Sequence, residues 1–335
     1  MFGKLRTKWV ALLSSALLLA AILFMLTRQH DLDDLFSLWR RTNALALFIA
    51  IFLMLIAQVA VAWRLLIIAA ADGVTSARFL PLVRIQLISQ FVAHGAPISA
   101  ISDIAKAAMV KLRFSLPTGQ SIRIILYERI CGALGTVCIG LVATLCQLDA
   151  PTPAPLVKAE FLLWGVGLLG VGALIVIGGR QVRTRTGIGL FDRMTRTVIL
   201  LGNMLRRPAV ASKLLLIAFA QLAGLALVFI VLAWGLHIPV SSLHIALFIP
   251  LIFFVSSLPI FYQGWGGREA IVLATLGGTG ALSDTEAVAL SVAFGVVVFL
   301  ASLPGAIFWM MRPSMRKGVH LQAERDNEST LSAGQ

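Results

Sequence analysis

Apolar residues run along this chain in long blocks, without the strict alternation of a half-buried strand or the one-sided stripe of a soluble helix. Blocks free or nearly free of charge occupy residues 9–27, 44–63, 130–147, 161–179, 214–236 and 285–311. Each comes close to the roughly 20 residues a helix needs to cross a bilayer core, so the pattern predicts six spanning helices. Two further apolar stretches are broken in the middle, by PISAISDIAK at 97–106 and by PIFYQGWGGREA at 259–270. Backbone in hydrocarbon must satisfy its own hydrogen bonds, so a broken segment at membrane depth belongs where protein buries it or a watery cavity meets it.

Composition sets the class. With 59% of residues hydrophobic and 13% charged, too little polar surface remains to coat a water-soluble globule. The reading is an all-α polytopic integral membrane protein. Lys4, Arg6 and Lys8 precede the first block as they would a signal peptide. Its 19 residues exceed a usual signal core, however, and no small-residue cleavage site follows cleanly, so it reads as a retained helix.

Basic residues collect on the cytoplasmic side of short loops. The segment 180–213 carries Arg180, Arg183, Arg185, Arg193, Arg196, Arg206, Arg207 and Lys213 against the single acid Asp192, whereas 237–243 has no Lys or Arg. The N-terminus is therefore expected inside, and Arg312, Arg316 and Lys317 place the C-terminus inside as well. The protein is expected in the cytoplasmic (inner) membrane. Its net charge of +13 then reports topology, and no nucleic-acid partner is expected.

Parity constrains the broken stretches. With helix one going out and helix two returning, Arg64, Arg78, Arg84, Lys106, Lys111, Arg113 and Arg123 all fall near the cytoplasmic face. The stretch from 85 to 110 must enter and leave on that side. Its arm Ile85–Ala96 has 12 residues, about 18 Å of helix, too short for a core of about 30 Å. A re-entrant hairpin turning at Pro97 fits. The same reasoning from the other end gives a second hairpin, with arms near 244–258 and 268–281 and a turn at Pro259–Gly267. The expected architecture is thus six spanning helices plus two re-entrant helical hairpins in an inverted-topology repeat. It forms one membrane domain, with a first repeat at 1–147, a second at 160–311 and a polar cytoplasmic tail at 312–335.

Ionisable groups within a membrane segment are costly unless paired or hydrated. Asp103 and Lys106 lie three apart on one helical face and are expected to pair. Arg268 and Glu269 are adjacent, point in different directions, and are expected to find partners elsewhere. In one reading the hairpin tips meet near the midplane around a polar headgroup cavity. Lys106 and Arg268 then face phosphate, while Asp103 and Glu269 balance them or bind an amine. In the other, Arg268–Glu269 and Glu128–Arg129 are structural ion pairs. Gly264, Gly266 and Gly267 permit a tight turn and close backbone approach, and amides exposed there would suit an anion.

Lesser features read more plainly. His94 suits a hydrogen-bonded interior residue better than a proton relay. Cys131, Cys138 and Cys146 lack metal or disulfide spacing, so no metal is expected. Gly132, Thr136 and Gly140 repeat at four residues, which favours close helix packing. Residues 31–42 suit a short helix on the outer surface. The stripe Leu190, Met194, Val198, Leu201 and Leu205 suits either an interfacial helix drawn to anionic lipid or a solvated basic loop.

Pro97, Asp103 and Lys106, then Glu128-Arg129, then LP…GWGGRE at 258–269, together resemble the lysylphosphatidylglycerol synthetase transmembrane, or flippase-like, family over essentially the whole chain. The resemblance implies a membrane domain that handles lipid, with Asp103, Lys106, Glu128, Arg129, Gly264, Gly266, Gly267, Arg268 and Glu269 as substrate-binding candidates. This chain departs from the family in its first hairpin, where Ala100 and Ser102 stand for glycines before the acid and Lys106 for an arginine after it. Lysine keeps the charge but not the bidentate fork that suits phosphate. With 26 residues after Trp309, the aminoacyl-transferase domain of two-part members is not expected.

The chain contains no HExxH, GxSxG, Walker or dinucleotide fingerprint in its required context, so neither an enzyme nor a cofactor is expected. Three readings are carried forward in order. The first is a flippase or transporter for a polar-headed lipid: an anionic or amino-phospholipid, or a polyprenyl-linked one. The second is an accessory protein presenting a polyprenyl-linked sugar or hopanoid to a lipid-modifying enzyme partner. The third is a membrane-embedded enzyme using Asp103 or Glu269 as general acid or base.

Overall fold

A computed structural model describes residues 37–40, 42–95, 99–148, 154–179, 189–258, 261 and 264–311. The elements among them are helical: α1 Ala44–Ala71, α2 Phe79–Gly95, α3 Ser99–Phe114, α4 Thr118–Cys146, α5 Ala154–Gly179, α6 Gly189–Leu205, α7 Pro208–Gly235, α8 Ser242–Ser256, α9 Gly267–Val272, the π-turn Leu273–Gly277, and α10 Asp284–Met310. Five of them, α1, α4, α5, α7 and α10, are long and apolar enough to cross a membrane. They coincide with five of the six apolar blocks. The block at 9–27 and most of the surface helix expected at 31–42 lie outside the described residues.

Two spans outrun the blocks that announced them. α1 continues past 63 through Arg64, and α4 begins at Thr118, so Arg123, Glu128 and Arg129 are helical too. Charge ended the hydropathy blocks, but the helices continue because those charges find partners. Arg123, for example, donates to the Asp72 carboxylate at 2.8 and 3.0 Å. Local chemistry sets other ends. Asn43 accepts the Leu45 N–H at the start of α1, and Ser283 and Glu286 form a reciprocal cap at the start of α10.

The broken stretches form short helices. α2 and α3 pack against each other. Their 17 and 16 residues span about 26 and 24 Å. The first arm is longer than the expected 12 residues because the helix starts at Phe79 and carries Arg84, whose guanidinium sits 5.7 Å from the Phe308 ring of α10. In the second pair α8 has 15 residues, and α9 has 6 before the π-turn. The turns at Pro97 and Pro259 lie outside the described residues.

Packing is reciprocal between the two parts of the chain. α1 lies along α7, α2 packs on α10 as α8 packs on α4, and α1 meets α4 as α7 meets α10. One core lies among α7, α8 and α10, where the Phe229 and Phe294 rings stack at 4.4 Å. The other lies among α1, α2 and α4. The C-terminal part of α6 faces the bundle: Leu201 of the stripe and Met204 are buried, and the Tyr127 hydroxyl donates to the Thr197 carbonyl at 2.7 Å, while the side chains of Leu190 and Met194 lie outside the described residues. Large apolar side chains such as Phe48 and Leu169 point outward, as lipid contact requires.

Candidate functional site

The two helix pairs line one cavity of about 400 Å³, closed around by α1, α4, α7 and α10. Six of the nine candidate residues line it: Asp103, Lys106, Glu128, Arg129, Gly264 and Arg268. Glu269, Gly266 and Gly267 stand directly behind.

On the α3 side the pairing differs from the sequence expectation. Asp103 and Lys106 do not pair with each other, and Glu128 and Arg129 do not form an ion pair. The Lys106 ammonium instead donates to Glu128 Oε2 at 3.1 Å. The Arg129 guanidinium grips the Asp103 carboxylate through three contacts of 2.9–3.1 Å. The cause is the antiparallel packing of α3 on α4: facing residues on two helices meet more directly than residues a turn apart on one. Arg64 of α1 completes the cluster, donating from Nη2 to Glu128 Oε1 at 2.5 Å and from Nη1 to Gln221 Oε1 of α7 at 2.7 Å. Gly132 makes room for it, since a Cβ there would lie 3.1 Å from the guanidinium.

On the second side Arg268 and Glu269 do pair with each other, against the expectation of separate partners. Arg268 Nε and Nη2 donate to Glu269 Oε1 at 3.1 and 2.7 Å, and the Ser291 hydroxyl joins both. The guanidinium bends back over the ring of Trp265, 4.8 Å from its centroid, with Phe294 at 5.5 Å. Such stacking suits arginine better than lysine. Gly264 and Gly266 adopt φ of +79° and +81°, a left-handed turn that favours glycine. A Cβ on Gly267 would sit 2.4 Å from the Phe261 ring. The Gly266 amide does not face an anion site. It donates to Glu269 Oε2 at 2.6 Å.

The charges do not cancel. Arg64, Lys106, Arg129 and Arg268 line the cavity against Asp103 and Glu128, with Glu269 behind, so four cations meet three carboxylates. Two polar atoms of lining residues, Arg64 Nε and Gln86 Oε1, are buried without a hydrogen-bond partner among the described residues. Leaving such atoms unpaired is costly.

Asp103 and Arg129 also close the end of a second space, an apolar groove of about 300 Å³ between α3 and α4 that runs past Ile104, Ile122 and Leu126 towards Lys111. Their side chains are 26% and 45% exposed, unlike the buried pairs of Glu128 and Glu269. One ion pair thus touches both the polar cavity and the lipid-facing surface.

Arg64, Gln221, Gln86 and Trp265 were not among the site candidates: Arg64 was read only as a topological charge and Trp265 only as part of the GWGGRE motif. Arg64 left one signal, as the lone charge within the 28-residue α1. His94 donates to the Gln90 carbonyl at 2.9 Å, as an interior histidine should. Gly140 packs on the Trp164 ring. Among the described residues no group of three or more His, Cys, Asp or Glu could hold a metal ion.

The family model described as "Lysylphosphatidylglycerol synthase TM region" matches residues 10–305. No curated protein matches the chain.

Proposed function

The chain belongs to the lysylphosphatidylglycerol synthase TM-region family, and on that footing we propose that it moves a phospholipid or other polar-headed lipid across the cytoplasmic membrane. The observation that carries this reading is a cavity shared by both helix pairs, with more cationic than anionic groups. Its volume lies within the range of about 300–1,000 Å³ typical of small-ligand sites, and its surplus charge favours a phosphate-bearing headgroup.

In this reading the two helix pairs are re-entrant hairpins of an inverted-topology repeat with both termini inside. The reciprocal packing of α2 on α10 and α8 on α4 supports it. The headgroup enters from the α3–α4 groove as the Asp103–Arg129 pair opens. Arg129 exchanges a carboxylate for phosphate while acyl chains stay in the groove. Arg268, held by Glu269 and Trp265, meets the headgroup from the far side. Presentation of a lipid to a separate enzyme is the competing outcome, since it requires the cavity without passage through it.

A fluorescent-lipid translocation assay in proteoliposomes tests this. Wild-type protein is expected to move lipid, and Asp103→Ala and Arg268→Ala to abolish the movement. The Asp103–Arg129 pair is only partly buried, unlike the pairs of Glu128 and Glu269, so Asp103→Ala should lower the thermal midpoint far less than Glu128→Ala does while losing transport. Absence of movement by wild type across anionic, zwitterionic and polyprenyl lipids would transfer the cavity to the presenting role.

A further inference from the structure

Away from the cavity, at the other end of α4, one buried carboxylate has no cation among the described residues. Glu128, Asp103, Asp72 and Glu269 each pair with arginine or lysine. Glu160 of α5 is buried, at 2% exposure, yet forms no ion pair among the described residues. Its neighbours are neutral. Thr144 Oγ1 lies 2.5 Å from Glu160 Oε2, and Gln147 Nε2 donates to that same oxygen at 3.1 Å. Trp164 Nε1 donates to Thr144 Oγ1 at 3.0 Å.

Counting hydrogens exposes a shortage. The Thr144 hydroxyl has one hydrogen and two acceptors in reach, Glu160 Oε2 and the Gly140 carbonyl at 3.0 Å. The unpartnered buried atoms of the cluster, Glu160 Oε1 and Gln147 Oε1, are also acceptors. An ionised Glu160 would leave this pocket short of donors and holding an unpaired charge, the costliest of buried groups. One proton on Oε2 resolves the main conflict. The acid then donates to Thr144 Oγ1, freeing the threonine hydrogen for Gly140, and Trp164 supplies the second bond to the same oxygen.

We propose that Glu160 is a proton-binding site, occupied in this conformation, and that its proton is linked to the position of α8. The link is Trp164. Its indole N–H is held by Thr144, its ring fills the gap left by Gly140, and its face meets Phe254 edge-on at 5.5 Å. Phe254 is on α8 and lines the cavity. Loss of the proton turns Thr144 back towards Glu160, abandons Gly140 and loosens the seat of Trp164 against α8.

Among the described residues no nearby group competes for this role. On α5 the neighbouring ionisable residue is Lys158, which is exposed, and on α4 it is Cys146, also exposed. On α8 it is His244, whose ring lies 5.9 Å from that of Phe248 at a tilt of 40°. Asp149 lies outside the described residues, as do the side chains of Asp192, Arg193 and Arg196 of α6. The site stands whether or not the cavity carries lipid.

Infrared spectroscopy on the purified protein in liposomes tests it. At neutral pH wild type should show the carbonyl stretch of a protonated carboxylic acid, which Glu160→Gln removes and Thr144→Ala shifts. Glu160→Gln imitates the neutral acid, so its thermal midpoint should equal or exceed that of wild type. Trp164 emission, isolated by difference from Trp164→Phe, should change as pH rises in wild type and stay constant in Glu160→Gln. A wild-type spectrum without the band, or a band that survives Glu160→Gln, overturns the site. A Trp164 signal that titrates alike in both proteins overturns the link. These readouts do not involve lipid movement, so failure of the transport reading leaves them intact.

Discussion

Glu128→Ala is expected to be the most damaging single substitution at the site, lowering stability by about 3–5 kcal/mol, the usual consequence of removing one partner from a buried ion pair. Two cations depend on this one carboxylate. Arg64 holds Oε1 and Lys106 holds Oε2, and all three side chains are at most 7% exposed. Without Glu128, Arg64 keeps Gln221, but Lys106 loses its ion-pair partner and two positive charges face each other at low dielectric. Set against a typical total of 5–15 kcal/mol, such a loss should appear as poor yield and a sharply lower thermal midpoint in detergent. Glu128→Gln should recover part of the stability by keeping a hydrogen-bond acceptor. Near-wild-type stability of Glu128→Ala would mean that water reaches the cluster and screens it.

The second large effect is steric. A Cβ on Gly305 of α10 would lie 2.1 Å from the Leu87 carbonyl oxygen and 3.0 Å from Phe91 Cβ on α2. Backbone cannot swing aside as a side chain can, so Gly305→Ala must push the two helices apart. Overpacking of this kind costs about 1–3 kcal/mol, and more where the obstacle is main chain. The same change at Gly165, Gly170 or Gly172 of α5 meets nothing within 4 Å. There it should be neutral or stabilising by up to about 1 kcal/mol, since alanine favours helix. Thermal midpoints of the four variants measured side by side check the contrast, and a Gly305→Ala protein as stable as the α5 variants would refute the close approach. Gly305 also joins α2 to α10, so separating them should disturb the cavity wall that α2 supplies.

Much of the site was legible in the chain. Asp103, Lys106, Glu128, Arg129 and Arg268 stood out because charge within an apolar stretch needs a reason, and all five line the cavity. The positive φ of Gly264 and Gly266 follows a reading that glycine carries openly. Arg64 was hidden because hydropathy ends a block at a charge, whereas the helix continues to Ala71 once that charge is paired. Gln221 was hidden more deeply, since an amide in an apolar run has no local signature, and Trp265 stood in the quoted GWGGRE motif with nothing to say that its ring would meet Arg268.

Membrane class, the approximate places of five spans and the two interrupted stretches were determined by sequence alone. Transfer to hydrocarbon is nearly additive along the chain, so each segment reports its own preference without knowing its neighbours. Pairing of charges was decided only by tertiary structure. Glu128 takes Arg64 from 64 positions away and Lys106 from 22, and Arg64 reaches Gln221 across 157. Such choices depend on which helix faces which, and in a low-dielectric interior the strongest contact is the nearest complementary charge in space, wherever it lies along the chain.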